Sequence, residues 1–221
     1  MGRQFAAQAT DSAYNAYTER PAMLGPAGDV TGRHVLDLGC GAGHLAAALR
    51  ERGAARIVGV DGSQSLLDAA GERLGDGAAL HRHDLEEPLH FLADASFDLV
   101  VAGLVHHHLL ARAQLLSAIR RVLLPGGTLL VSTTHPTDDR VHFGGSSFAE
   151  ERVELPFGDG FALVPGRMTP ETFPCELLGA GFVLEELREP RATEEARHTE
   201  PRRYDKTHHL PVFLCVRLRR P

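Results

Sequence analysis

The chain has no excess of positive charge. Against 29 Asp and Glu stand 23 Lys and Arg, a formal net charge of −6 with neutral His. Proteins that bind through phosphate contacts need clustered basic side chains. The arginines within 188–203 and 217–220 are broken up by Glu and by apolar residues, and read as a solvated loop and a strand end. The balance therefore argues against nucleic acid as a partner. Apolar runs are also short: none approaches the roughly 18 residues of a membrane span, and residues 1–22 lack the apolar stretch of a signal peptide. Only three cysteines occur, Cys40, Cys175 and Cys215, an odd number without metal-ligand spacing. They read as reduced thiols, and the expected location is cytoplasmic. There is no internal repeat and no long low-complexity segment.

What is present suits a folded core. Hydrophobic residues make up 43% of the 221 and charged residues 24%, the balance of an ordinary globular chain. The length suggests a single domain over 1–221, working as a monomer or homodimer, with an N-terminal helical cap at 1–32. Strand and helix signals alternate, which predicts an α/β fold: a doubly wound, mostly parallel seven-stranded sheet with helices on both faces. Strands are expected at 35–38, 57–60, 79–83, 97–102 and 128–132, with helices over 44–52, from Ser63 or Ser65 to Leu74, and over 111–124. Pro125-Gly126-Gly127 is read as the turn that ends the last of these helices. A helix over 170–179 and strands at 182–187 and 212–218 close the chain. With no helix after it, the last strand is free to enter antiparallel. Residues 133–168 show no periodicity and are rich in Gly, Pro and Phe. So long an irregular insertion is read as lid-like, with Phe143, Phe148, Phe157 and Phe161 as walls of an apolar acceptor pocket or as plain loop anchors. Arg167 would pair there with an acidic substrate or a nearby Glu. Residues 188–210 read as a long exposed connection.

One stretch carries a sharper signal. Asp37-Leu38-Gly39-Cys40-Gly41-Ala42-Gly43 stands between the first strand and the first predicted helix. Three alternate glycines let the backbone bend and approach a ligand closely, and the helix behind them points free N–H groups at the turn. A tight turn without a ligand is the plainer alternative. The dinucleotide pattern Gly-x-Gly-x-x-Gly places its third glycine three positions after the second, so the 39, 41, 43 spacing fits no pyrophosphate site. Asp61 ends the second strand, where its carboxylate can accept from both ribose hydroxyls or cap the next helix. Asp84 ends the third strand, where it can accept from an adenine amino group beside the backbone N–H of Leu85, or simply be solvated.

Together with Phe97-Asp98-Leu99-Val100-Val101 and Leu124-Pro125-Gly126-Gly127, these elements resemble, in order, the Rossmann-like (class I) S-adenosylmethionine-dependent methyltransferases. The similarity runs from about Val35 to Val131 and weakens beyond. It implies that Gly39, Gly41 and Gly43 cradle the methionyl and ribose part of S-adenosyl-L-methionine. By the same resemblance Asp37 holds the loop and meets the cofactor amine through water. Asp61, with Gly62 beside it, takes the ribose hydroxyls, and Asp84 and Leu85 take the adenine. Ala102 and Gly103 face the methionine end. In the run 13–17, Tyr17 stands where family members place a Tyr over the cofactor carboxylate, although the run also reads as an ordinary amphipathic helix.

The acceptor side rests on histidine. His106-His107-His108 follow the fourth strand and His135 follows the fifth, both at the sheet edge where ligands bind in such folds. The resemblance favours His107, then His135, as general base or orienting group; bonding to backbone is the bland reading of each. Consecutive His cannot converge on one ion and no carboxylate ends the fourth strand, so no catalytic metal is expected. The Asn- or Asp-Pro-Pro-aromatic pattern of nucleic-acid amino methyltransferases is missing. The expected activity is methyl transfer to an O or N atom of a small-molecule acceptor. A non-catalytic S-adenosylmethionine-binding subunit and a protein methyltransferase are the alternatives.

Overall fold

A computed structural model describes residues 14–156 and 162–221. Phe157, Phe161 and the first thirteen residues of the expected N-terminal cap lie outside the described residues. Helix α1 (Asn15–Glu19), of π pitch, runs directly into α2 (Arg20–Leu24). Then follow β1 (His34–Leu38), α3 (His44–Glu51), β2 (Arg56–Asp61), α4 (Gln64–Leu74), β3 (Ala79–Arg82), β4 (Phe97–Gly103), α5 (Arg112–Val122) and β5 (Leu123–Thr134). The sheet has seven strands in the order β3-β2-β1-β4-β5-β9-β8, with β8 at Val183–Arg188 and β9 at Phe213–Arg219. β3 to β5 pair in parallel, and β9 lies antiparallel between β5 and β8. This is the predicted doubly wound sheet.

Burial explains why the central strands read as apolar runs. A parallel strand covered on both faces shows water neither side, and Val35, Leu36 and Leu38 of β1 are fully buried. Leu36, Leu38, Val58, Val60, Val100 and Val131 pack under α5 and α7 (Thr172–Gly179). Val35, Ile57, Leu99, Val101 and Leu130 pack on the opposite face, under α2, α3 and α4. Strand alternation puts Asp37 on that second face with Val35.

Four expectations need correction. Pro125-Gly126-Gly127 does not lie outside the fifth strand: β5 starts at Leu123, opposite Phe97, and its register to β4 shifts between Phe97 and Leu99. The extra residues bulge, which is how a Pro and two Gly enter a strand. Residues 133–168 are not irregular throughout. They hold helix α6 (Pro136–Phe143) and a two-strand hairpin, β6 (Leu155–Pro156) with β7 (Ala162–Leu163). Helix α6 buries none of its residues, so it carries no apolar stripe for periodicity to detect. Its start signals are present in Pro136 and in Asp138 and Asp139 of the first turn. Residues 188–210 are not a bare connection either. They form α8 (Ala196–Thr199) and α9 (Pro201–His209), and Ala192, Ala196 and Tyr204 make a small core of their own. Finally, β3 stops at Arg82, because only residues 79–82 pair with β2.

Candidate active site

The carboxyl ends of β1, β2, β4 and β5 converge on one edge. Gly39, Gly41 and Gly43 all have positive φ, of 68, 53 and 76°, a region that strains any residue with a Cβ. They differ in what surrounds them. A Cβ on Gly39 would fall 2.4 Å from Val105 Cγ2, and one on Gly43 would press on Leu74 and Ala70. A Cβ on Gly41 would meet nothing within 4 Å. Two of the glycines thus admit protein, and the middle one faces open space of the kind a ligand fills.

Polar groups outside the loop fix it in place. Gly39 and Cys40 donate their N–H groups to the carbonyl of Val60, at 2.8 and 3.0 Å. The Asp61 carboxylate accepts from Gly41 N–H and from Ser63 N–H, both at 2.8 Å. One bond to each oxygen leaves one acceptor site on each for a further donor. Arg73 of α4 donates to the carbonyl of Ala42, a contact that sequence reading does not anticipate. Gly62 is exposed beside Asp61. Asp84 is exposed and accepts from Glu86 N–H at 3.0 Å, while the side chain of Leu85 is buried.

Asp37 is only 2% exposed, and its Oδ2 has no hydrogen-bond partner. Burial pushes its carboxyl up to about 7, helped by the neighbouring Glu19 and Asp61 and opposed by the N–H of Ala46. Glu19 is the residue that sequence reading passes over. It is 7% exposed, it accepts from Ser132 Oγ at 2.6 Å, and burial raises its pKa against the Ser132 bond and the charge of Arg20. Its signal was available: Glu19 shares the stripe of Ala22 and Met23 at i+3 and i+4, where an apolar residue belongs. Tyr17 is half-buried. Its ring packs on Ala192, Ala196 and Tyr204, and its carbonyl accepts from Thr193 N–H at 2.7 Å.

Beyond β4 the chain turns through Leu104 at φ 54°, a strained value for a leucine. Its N–H donates to Ser132 Oγ at 2.9 Å. The three histidines then separate, as consecutive residues must. His106 bonds Glu176 of α7 at 2.9 Å and stacks edge-on to Phe173, while Arg112 forks onto the same carboxylate at 2.7–3.0 Å. Burial pushes Glu176 up, but the bonds from His106 and Arg112 win and hold it at about 2. His107 is buried with Nδ1 3.1 Å from Thr133 Oγ1, and burial takes its pKa well below the usual value. His135 is engaged at both nitrogens: Nδ1 accepts from Thr137 N–H to cap α6, and Nε2 meets Glu189 at 3.0 Å. The 133–168 segment touches this group through Gly166, whose N–H donates to the carbonyl of His107 at 2.6 Å. Buried Arg167 next to it pairs with Glu151 at 2.8 Å. Phe148 is 88% exposed and walls no pocket. Among the described residues, no group of three or more His, Cys, Asp or Glu is placed to hold a metal, and no helix is long and apolar enough to cross a membrane.

The model of a methyltransferase domain matches residues 36–131, from β1 through the bulk of β5. The chain is 28% identical to an uncharacterized protein of Haemophilus influenzae over 93% of its own length and 88% of that protein. A crystal structure of an S-adenosylmethionine-dependent methyltransferase from Mesorhizobium loti superposes with a TM-score of 0.75 at 26% identity, covering 96% of this chain and all of that one. The chain has the class I S-adenosylmethionine-dependent methyltransferase fold. Among relatives of this methyltransferase with a named reaction is N-demethylindolmycin N-methyltransferase of Streptomyces griseus, 29% identical over 83% of this chain and 79% of that protein. The methyltransferase uses S-adenosyl-L-methionine as its cofactor, and the edge described above fits a cationic, hydroxyl-bearing molecule. It offers an orphaned buried carboxylate oxygen on Asp37, open space over Gly41 and free acceptor capacity on Asp61.

Proposed function

We propose that this methyltransferase transfers its methyl group to an O or N atom of a small-molecule acceptor. The observation that carries the reading is the arrangement at the sheet edge: His107 sits one turn beyond β4, and the 133–168 segment bonds directly to its backbone. The relative that methylates a nitrogen of demethylindolmycin, by its name, supports the same acceptor class.

When bound, the cofactor supplies a methyl group made electrophilic by a sulfonium centre. The chain's own residues must hold the two reactants in line and, for a protonated nucleophile, remove a proton. Gly39, Gly41, Gly43 and Ala102 leave room for the methionyl and ribose parts. Asp61, with Gly62 beside it, receives the ribose hydroxyls on the acceptor sites that Gly41 and Ser63 leave open. Asp84 and the backbone of Leu85 receive the adenine. The Thr133 hydroxyl can accept from His107 Nδ1–H, which fixes the tautomer and leaves Nε2 as the lone-pair nitrogen for the acceptor's proton. His135, with both nitrogens engaged, orients the acceptor side indirectly by holding the start of α6.

Calorimetric titration with S-adenosylmethionine and S-adenosylhomocysteine, followed by methyl transfer from labelled cofactor to a panel of phenols, amines and carboxylic acids, tests this reading. Binding of both cofactor forms with turnover of at least one acceptor class is expected. Binding without turnover across the panel would favour a non-catalytic subunit, and labelling only of added protein would favour a protein methyltransferase. His107→Ala should lower turnover about 100-fold if it is the base. Because burial keeps His107 neutral well below pH 6.5, turnover should not fall as pH drops from 7.5 to 6. An inflection near 6.5 that is absent in His107→Gln would mark a solvated imidazole instead.

A further inference from the structure

The mechanism above makes no use of Glu19, yet Glu19 occupies the centre of the cofactor side. Strand register explains its position. On the face covered by α2 and α3, Asp37 of β1 pairs with Val101, and Gly103 follows two residues later on that same face of β4. Gly103 pairs with Ser132 of β5, and Ser132 pairs with Cys215 of β9. A row of Gly103, Ser132 and Cys215 therefore crosses the sheet at its carboxyl edge, and Asp37 lies on the same face one step back, in the row of Val101. Helix α1 delivers the Glu19 carboxylate onto this row. It takes the Ser132 hydroxyl at 2.6 Å, and a Cβ on Gly103 would come within 3.0 Å of Oε1. With a side chain at 103 the carboxylate would have to give by a few tenths of an ångström.

Carboxylates gathered at one place do not by themselves make a site. Here one of them is incomplete: Asp37, 2% exposed, keeps an oxygen with no partner beside Glu19. Burying an unpaired carboxylate oxygen is costly unless a cation or donor arrives to complete it. The facing groups are Arg20 on the same helical segment, which favours the charged form of Glu19, Asp37 from β1, whose charged form Glu19 and the Asp61 carboxylate of β2 both disfavour, and Cys215, whose thiol Glu19 pushes up.

We propose that Glu19 is a cofactor-binding residue, forming with Asp37 a buried carboxylate pair that receives the cationic methionine end of S-adenosylmethionine. The proposal rests on the cofactor placement above. It also implies a proton inventory. Without a cation, two adjacent buried carboxylates share at least one proton, because like charges at short range cannot both ionise freely. A docking cation stabilises both as carboxylates, so binding releases that proton to solvent.

Calorimetry of cofactor binding in two buffers of different ionisation heat, near pH 6.5, reads the released proton on the unmodified protein. Release of a substantial fraction of one proton is expected, with Glu19→Gln binding S-adenosylmethionine at least tenfold more weakly and releasing less. The cofactor's uptake by the wild-type protein is the control: no binding there would sink the placement itself. Wild-type binding with no buffer dependence, or a folded Glu19→Gln of unchanged affinity and unchanged proton release, would overturn the role of Glu19 alone. Should Glu19→Gln fail to fold, Ser132→Ala, which removes only the hydroxyl bond, should shift the proton release without abolishing binding.

Discussion

The two sides of the sheet were assembled in different ways. On the β3-β2-β1-β4 side each strand runs parallel to its neighbour and is followed by a connection that returns over one face; β2, β3 and β4 end in Asp61, Arg82 and Gly103, and β1 ends one residue before Gly39. On the β5-β9-β8 side the pairing is antiparallel, and the added structure, α6, the β6–β7 hairpin, α8 and α9, lies in long insertions. The first side has its chemistry written into strand ends. The second borrows order from distant contacts, such as Thr193 N–H on the carbonyl of Tyr17 or His135 on Glu189. On the proposed placement, most of the cofactor-binding groups belong to the local side.

That contrast can be broken most sharply at the glycines. Gly39→Ala sets a Cβ against Val105 at 2.4 Å and strains a positive φ, so a loss of roughly 2–4 kcal/mol in unfolding free energy is expected. Gly41→Ala has open space and carries only the backbone strain of about 1–2 kcal/mol, yet should weaken cofactor binding more than stability. Equal stability losses in thermal unfolding would show that the two positions are not distinguished as described. Asp61→Ala removes the acceptor of Gly41 and Ser63 N–H groups as well as of the cofactor, and should cost about 1.5–3 kcal/mol of binding. Unchanged affinity in calorimetry would remove Asp61 from the site.

The two sides should also answer pH in opposite senses. Glu176, beneath the acceptor side, is held at about 2, so its stabilisation is present above its unfolded value of 4.5 and is lost as pH falls toward 2. Its partial exposure limits this to about 1–2 kcal/mol. Asp37, raised to about 7, does the reverse. The folded apoprotein is favoured below pH 3.8 by this group, and that contribution fades as pH rises through 7. Denaturant titrations should show Glu176→Gln flattening the acid limb and Asp37→Asn flattening the neutral one; a variant that leaves its limb unchanged refutes the corresponding assignment. The smallest effect concerns Tyr17. With its ring turned to Ala192 and Ala196, Tyr17→Phe should leave cofactor affinity within about threefold, a change under 1 kcal/mol. A tenfold loss would return Tyr17 to the cofactor.

How far the sequence could be read follows the same division. β1, β2, β4, the helices between them and the loop 37–43 were legible because each is a short-range pattern: an apolar run, a turn, a capped amphipathic helix. α6, α8 and α9 were not, since they are short and bury few or no residues. Residues 125–127 misled because Pro-Gly-Gly usually closes an element, whereas here a bulge absorbs it. Glu19 was passed over for another reason. Its place on the stripe of Ala22 and Met23 was a local sign of burial, but its partner Ser132 lies more than a hundred residues away, and no local pattern encodes that contact.

The place of β9 has a consequence for biogenesis. Residues 213–219 are threaded between β5 and β8, so they emerge from the ribosome after every other strand and yet occupy the sheet's interior. Until they arrive, nascent β5 presents an unpaired, apolar edge of Leu129, Leu130 and Val131 to its surroundings, the kind of edge that recruits foreign strands. Synthesis of the methyltransferase therefore carries a window of aggregation risk that closes only with its last strand, and a chaperone that shields strand edges would be of most use to this protein in that interval.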